Sequence, residues 1–360
     1  LSAGAVAGAL EAALARLVPP LAFAGVAVAW PDGRETVVTQ ASPGIVADGQ
    51  SLFRAASLSK IVTGRVFRTA AEGRGLSPPY AMEASDLLGW RLRHPRWPKV
   101  PVTAGMVAAH AAGLSDTGGY LVPRGAGLRD WLARPECWGE AAPGTGFAYA
   151  NLGYVLITAM AERMAGARFD RLARHELARI EVEGGFNWSG VPPAARARRL
   201  PIYRRAGGRF LPQIDGHVSA RGLSGPEGRE LRLRGWQAGE APGVFSPQGG
   251  LRISLSGALR LARSLSEADG PVLWSGPTGD RQVFQSYGLG VQFLDAPAFW
   301  PRPVMGHFGN AYGFAGGLWK DRVTGVAIVV VLNGLPEGDE DDRLREEELA
   351  LYGALAHACG

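Results

Sequence analysis

The sequence predicts a mixed α/β (α+β) protein with a split layout, in which strand-forming segments lie near both ends and a long stretch of helix and loop lies between them. Three observations carry this reading. Apolar residues alternate or run continuously around 24–40 and again around 287–332, the pattern of half-buried and buried strands. The first and last segments instead read as helices. The whole chain, 360 residues with 46% hydrophobic and 20% charged content, has the composition of a globular protein that buries a large core.

In chain order, a helix is expected near Ala3 to Leu17, a strand at Ala24 to Trp30, a turn at Pro31-Asp32-Gly33-Arg34 and a second strand at Glu35 to Gln40. Ser57 then opens a helix whose apolar positions Ile61, Val62, Val66 and Phe67 suit a buried element. From Gly73 to Pro247 the chain is rich in Pro and Gly and reads mostly as helix and long loop. Strands return around Tyr287 to Leu294, Val304 to Phe308, Gly313 to Trp319 and Val323 to Leu332. A helix from about Asp341 to Ala358 closes the chain, opened by the acidic stretch Glu337 to Glu348 where negative charge favours a helix N-terminus. The expected division is a sheet domain at 1–72 and 248–360 and a mainly helical domain at 73–247.

The chemistry begins at Ser57-Leu58-Ser59-Lys60. Residues i and i+3 share a helical face, so the Lys60 amine would face the Ser57 hydroxyl, and Ser57 in the first turn keeps its own N–H outside the helix ladder. A buried ammonium can lose its proton where a guanidinium cannot, and this chain, whose basic residues are nearly all arginine, has lysine only at 60, 99 and 320. A second motif is Tyr149-Ala150-Asn151. Its phenol becomes a useful base only beside a cation such as Lys60, and the Asn151 amide offers both a donor and an acceptor to hold the lysine head and the substrate. A third is His307-Phe308-Gly309-Asn310, on one of two paired strands. Gly309 would let substrate backbone approach an edge strand, the Asn310 N–H would join that of Ser57 as an oxyanion donor, and His307 would hydrogen-bond near Tyr149.

Ser57-x-x-Lys60, Tyr149-x-Asn151 and His307-x-Gly309, in that order, resemble the signature of the class C β-lactamase-like serine hydrolases, a family of β-lactamases, esterases, D-aminopeptidases and DD-peptidases. Phe53-Arg54-Ala55-Ala56 before Ser57, the segment Val102 to Leu114 and Gln248-Gly249-Gly250-Leu251 extend the resemblance over nearly the whole chain. It implies a β-lactamase/transpeptidase-like fold, an antiparallel sheet flanked by helices plus a helical lobe, with the site in the cleft between them. It also implies Ser57 as nucleophile, Lys60 and Tyr149 as a shared general base, and Asn151, His307, Gly309 and Asn310 as supporting or substrate-binding residues. His110, in the Val102 to Leu114 segment, is read as structural.

The third motif bears on substrate. True β-lactamases of this fold usually carry lysine where this chain has His307, and a neutral imidazole supplies little standing charge for an anionic β-lactam. Esterase, amidase or D-peptidase activity through a Ser57 acyl-enzyme is therefore favoured over efficient β-lactamase activity. A true class C-type β-lactamase and a non-catalytic binder of peptides or cell-wall fragments are the alternatives. Arg252 is one arginine that could restore charge, with a surface role as its default. Trp131, Trp138, Trp188 and Tyr120 are candidate pocket walls, and core packing explains them equally well.

Other classes are set aside. A net charge of +5 and the arginines at 196, 198, 199, 204, 205 and 209 come without a nucleic-acid motif and read as a solvated basic loop. No zinc-protease helix, no G-x-S-x-G elbow and no phosphate loop occurs, so no cofactor or metal is implied. The expected partner is a small-molecule or short peptide substrate, with no nucleic acid and no integral membrane segment. Cys137 and Cys359 have no metal-type spacing, and a single bridge between them is left open. A leader removed before Leu1 would make the protein periplasmic or secreted rather than cytoplasmic.

Overall fold

The computed structural model describes residues 3–218, 233, 235–276, 284–336 and 343–359. Its helices are α1 (Ala3–Ala15), α2 (Ser59–Glu72), α3 (Ala84–Leu88), α4 (Ala104–Ala108), α5 (Leu128–Leu132), α6 (Asn151–Ala165), α7 (Phe169–Arg179), α8 (Pro193–Ala197), α9 (Leu255–Arg263) and α10 (Glu346–Cys359). The strands are β1 (Phe23–Ala29), β2 (Glu35–Ala41), β3 (Phe53–Arg54), β4 (Gly184–Phe186), β5 (Ile202–Ala206), β6 (Arg209–Ile214), β7 (Leu251–Ile253), β8 (Trp274–Ser275), β9 (Ser286–Tyr287), β10 (Gln292–Leu294), β11 (Val304–Ala311), β12 (Phe314–Asp321) and β13 (Ala327–Asn333).

Eight strands form one antiparallel sheet in the order β2-β1-β13-β12-β11-β10-β9-β8. Its centre is buried on both faces, which is why β1 and β13 read as nearly continuous apolar runs. Alternation then divides the side chains between two layers. Val26, Val28, Val330 and Leu332 pack with Val6, Leu10, Leu351 and Leu355 of the terminal helices, while Ala27, Val329 and Val331 share the opposite core with Ile61, Val62 and Leu255. In that second layer α9 lies on the sheet, and α2 carries α6 and α7 on its far side. Because α2 is enclosed by sheet and helices, its polar residues Ser59, Lys60 and Thr63 are buried with it.

The structure adds elements that the helix-and-loop expectation for the central segment omits. Within it, β4 pairs with β7, which pairs with β3, in a small sheet at the approach to Ser57. The run of arginines expected as a basic loop includes the hairpin β5–β6, turned at Gly207 and Gly208 with φ of 56° and 72°. A Gly-Gly pair with both residues left-handed matches the twist of a two-residue hairpin. The last helix begins at Glu346, with Glu346, Glu347 and Glu348 in its first turn, and the expected start near Asp341 lies outside the described residues. Cys137 and Cys359 are both free, so the bridge left open above is not formed. No helix among the described residues is long and apolar enough to cross a membrane.

Close packing around α2 depends on two glycines. A Cβ at Gly64 would stand 2.1 Å from the Leu289 carbonyl oxygen, and one at Gly290, where φ is +78°, would stand 2.1 Å from the Lys60 carbonyl oxygen. Gly8, by contrast, lies in α1 with nothing near its missing side chain. Gly64→Ala is therefore expected to lower stability by about 3 kcal/mol through overpacking against backbone. Gly8→Ala should raise it by roughly 0.5–1 kcal/mol through helix propensity. Urea denaturation measures both, and equal midpoints for the Gly64→Ala variant and wild type would refute the packing argument.

Candidate active site

Ser57 lies in a single 3-10 turn, Ala56–Leu58, that leads into α2, so it precedes the α-helix instead of opening it. The turn is entered through Ala56 at φ +45°, a left-handed conformation that is rare and costly outside glycine. This bend lifts the half-buried serine out of the buried layer. Lys60 follows three residues later on α2, fully buried, and its Nζ lies 2.9 Å from Ser57 Oγ. The Tyr149 hydroxyl approaches the same Oγ from the other side, also at 2.9 Å.

The lysine head has two further acceptors, Asn151 Oδ1 at 2.8 Å and the Gln248 carbonyl oxygen at 3.0 Å. Its Nζ also lies over the rings of Tyr149 and Tyr154, at 4.7 and 5.4 Å. Asn151 is the first residue of α6, and the preceding Ala150 has no side chain that can cap the helix. A distant carboxylate does so instead. Asp116 accepts from the backbone N–H groups of Asn151 and Leu152 at 2.8 and 3.0 Å and from Asn151 Nδ2 at 3.0 Å. The Asn151 amide is thereby oriented with its oxygen toward Lys60. The amide nitrogen expected to reach substrate is engaged by Asp116.

His307 corrects the sequence expectation. Fully buried on β11, its Nε2 accepts a 2.6 Å hydrogen bond from Tyr287, and its Nδ1–H donates to the Phe308 carbonyl, so the ring's partner is Tyr287 instead of Tyr149. Burial first, then the nearby Lys60 charge, pushes this imidazole down to about 3, so it is neutral at physiological pH. Tyr149 instead packs against His110 with the two rings tilted by 36° and their centroids 4.3 Å apart, and His110 Nδ1 accepts from the Ala150 N–H at 3.1 Å. His110 thus orients the Tyr149 segment, in line with its structural reading.

Gly309 and Asn310 lie in β11 beyond its pairing with β10. Among the described residues, β10 pairs with Val304 to Gly306, and the same edge of β11 continues past them to Ala311. The Phe308 N–H on that edge donates to the Gln292 side chain at 3.0 Å, and strand alternation carries the Asn310 N–H to the same edge. A Cβ at Gly309 would stand 3.2 Å from Ser57 N and from the Ala55 carbonyl oxygen, and 3.3 Å from Ala56 Cβ. Gly309 therefore admits the serine turn itself against the strand, where substrate backbone was expected.

Other expectations change as well. Arg252 is fully buried, with its guanidinium on Asp215 at 2.8 and 2.9 Å, Asn187 Oδ1 at 2.7 Å and the Gly250 carbonyl at 2.6 Å. It is neither on the surface nor available to a substrate. Trp188 donates to Asp215 and Trp138 to the Leu132 carbonyl, both inside the protein, which leaves Tyr120 and Trp131 half-buried. Asp116, Tyr287 and the Gln248 carbonyl escaped the sequence reading. Ser115-Asp116 directly after the Val102 to Leu114 segment was the available signal for the first, and a backbone carbonyl carries none.

An antiparallel sheet against helices, with a serine held between lysine and tyrosine where they meet, defines a serine hydrolase of the β-lactamase/transpeptidase fold. The chain belongs to the beta-lactamase family, whose model matches residues 12–352. No curated protein matches it in sequence. Among solved structures, a D-amino acid amidase from Ochrobactrum anthropi SV3 in complex with L-phenylalanine is similar, with a TM-score of 0.71 and 14% identity over 99% of this chain and 97% of that one. A beta-lactamase/D-alanine carboxypeptidase from Yersinia pestis in complex with citrate has a TM-score of 0.68 at 14% identity, covering 100% and 99%. A D-stereospecific amidohydrolase from Streptomyces sp. has a TM-score of 0.62 at 15% identity, covering 93% and 95%. At these identities the likeness is one of fold.

Two predictions follow from the geometry. Gly309→Ala pushes the strand edge from the serine turn by a few tenths of an ångström and should lower ester hydrolysis roughly tenfold, part of the ~10²-fold that a 1 Å misplacement costs. An unchanged kcat would refute that reading. The second concerns acid. An unfolded His titrates near pH ~6.5, so the stability from keeping His307 neutral is complete above that pH and falls as pH drops toward 3, by up to ~1.4 kcal/mol per pH unit. Glu162 and Glu348, both pushed up to about 7 by burial, act in the opposite sense, losing stability as pH rises from ~4.5 to 7. The comparison is therefore between wild type and His307→Gln. The wild type should lose more stability between pH 6.5 and 4, and parallel curves in chemical denaturation would reject the assignment.

Proposed function

We propose that this protein hydrolyses ester or amide bonds of small acyl compounds or short peptides through a Ser57 acyl-enzyme, with esterase, amidase or D-peptidase activity favoured over β-lactam hydrolysis. The carrying observation is that Ser57 Oγ lies 2.9 Å from both Lys60 Nζ and the Tyr149 hydroxyl. Two groups that share protons in contact titrate as a unit. With one proton fewer on the pair, a neutral Lys60 donates to Asn151 Oδ1 and the Gln248 carbonyl and turns its lone pair to Ser57. Equivalently, a Tyr149 phenolate beside the ammonium accepts the serine proton. Ser57 then attacks the carbonyl carbon, its proton passes to the pair, and the N–H groups of Ser57 and Asn310 receive the oxyanion. The same proton returns to the leaving alcohol or amine as the tetrahedral intermediate collapses. Water, deprotonated by the same pair, attacks the acyl-enzyme, and Ser57 leaves with that proton.

Two features favour an ester or amide substrate over a β-lactam. The third motif offers a neutral, buried imidazole in place of a lysine charge. Two of the similar structures are a D-amino acid amidase and a D-stereospecific amidohydrolase, which supports D-amino-acid amides as a substrate class to test first.

Ser57→Ala should reduce hydrolysis of a chromogenic ester by on the order of 10³-fold or more. Lys60→Arg keeps the charge but removes a deprotonable amine, so it should fail comparably. A fluorophosphonate should label wild type at Ser57 and leave Ser57→Ala unlabelled, which a pure binding protein would not show. In a panel of short-chain esters, D-amino-acid amides and a chromogenic cephalosporin, the cephalosporin should be the slowest. Preferential cephalosporin turnover would overturn the substrate reading, and wild-type rates for Ser57→Ala would overturn the mechanism.

A further inference from the structure

Arg54 stands three residues before Ser57, at the end of β3, and is 7% exposed. Its guanidinium lies 5.1 Å from the Tyr312 ring centroid. Its Nη2 lies 2.9 Å from where a Cβ on Gly249 would stand, and that same point is 3.7 Å from the Ala56 carbonyl carbon. Gly249 follows Gln248, whose carbonyl holds Lys60, and Tyr312 lies two residues beyond Asn310. The guanidinium is therefore set beside the wall of the Ser57 site, among the serine turn, the Gln248–Gly249 loop and the end of β11.

The other arginines that are buried among the described residues are fully engaged. Arg65 is held by Asp269 and Ser264, and Arg252 by Asp215, Asn187 and Gly250. For Arg54, among the described residues, no oxygen accepts a hydrogen bond from the guanidinium and no carboxylate lies within ion-pair distance. Asp215 is the nearby acid, and its two oxygens are taken by Arg252 and Trp188. A mostly buried guanidinium without an acceptor is a costly arrangement for a folded protein, and the Arg54 nitrogens, which are not among the fully buried unpartnered atoms, keep a narrow opening through which an acceptor can reach them. Burial accordingly disfavours the charged form. A planar fork of this kind matches a carboxylate through two parallel hydrogen bonds. Tyr120, hydrogen-bonded to Tyr312 and pushed up to about 12 by burial, keeps its phenolic proton and adds a neutral polar group at the same spot.

We infer that Arg54, backed by Tyr312 and Tyr120, is a specificity-determining residue that binds a carboxylate on the substrate, so that the preferred ester or amide is anionic. This rests on the Ser57 acyl-enzyme reading for the chemistry and names the group that reading leaves open. It also relocates the positive charge absent from His307. The carboxylate is placed by an arginine before the nucleophile and not by the third motif.

Two matched pairs of esters locate the carboxylate. 4-Nitrophenyl hemisuccinate against 4-nitrophenyl butyrate places it on the acyl side, and 4-carboxyphenyl acetate against 4-carbamoylphenyl acetate places it on the leaving group. In one pair, wild type should prefer the anionic ester. Arg54→Gln should lower the anionic-to-neutral ratio of kcat/KM at least tenfold, mostly through KM, and Arg54→Lys should retain part of the preference. Ratios equal within twofold for wild type and Arg54→Gln in both pairs would overturn the inference. Because it is a ratio, a general loss of folded enzyme does not move it. Failure of wild type to hydrolyse any of the four esters would count against the Ser57 reading instead. In that event succinate binding by calorimetry decides Arg54 independently: affinity weakened tenfold or more in Arg54→Gln supports it, and equal affinity refutes it.

Discussion

Lys60 is the constraint around which the site is assembled. A fully buried amine has three hydrogen-bonding directions, and here each has a fixed recipient: Ser57 Oγ, Asn151 Oδ1 and the Gln248 carbonyl. Those recipients come from three separate parts of the chain, the turn before α2, the N-terminus of α6 and the loop before β7. Misplacing any one of them leaves a buried cation short of a partner, which costs more than the same bond contributes when made. The lysine thus couples catalytic geometry to folding. Asp116 extends the same logic outward, since by capping α6 it fixes the rotamer and polarity of the amide that Lys60 faces.

Around this cation lies a block of aromatic groups kept neutral. Tyr154 and Tyr287 are fully buried and have phenols pushed above their ordinary range, and His307 is held without charge. Their polar atoms are paired with one another or with backbone, Tyr287 with His307 and Tyr154 with the Ala108 carbonyl. A neutral, satisfied, low-dielectric surround leaves Lys60 and Tyr149 as the groups that can exchange a proton with Ser57. It also strengthens the effect of the one charge upon the other.

Much of this was readable in the sequence because it follows from local rules. The alternating or continuous apolar runs of β1, β2, β11 and β13 and the i, i+3 relation of Ser57 and Lys60 are set within a few residues, so they survive without tertiary knowledge. The hairpin β5–β6 was missed because its arginines obscured the alternation, although Gly207-Gly208 marked the turn. Arg252 was misread for a different reason. Nothing in its neighbourhood announces that Asp215, 37 residues earlier, folds back to neutralise it. Asp116 and Tyr287 belong to the same class of pairings that only the tertiary fold defines. For His307, which tyrosine the ring meets depends on the entry of β9, two strands away in the sheet, and the motif carries no sign of it.

The histidine at 307 is best understood through what a lysine would require there. The position has no solvent exposure, Tyr287 and Phe308 surround it, and the Lys60 charge is close enough to depress the imidazole. An ammonium in that place would be a second buried cation beside the first, with its head against a phenol that burial keeps protonated. The more stable arrangement has one cation at the serine and a neutral ring behind it. That choice removes the standing charge with which relatives of this fold hold a substrate carboxylate near the third motif. Any charge that selects among acyl compounds must then come from outside the strand. A guanidinium brought in from the serine's own approach strand meets that requirement without placing a second positive group against Lys60.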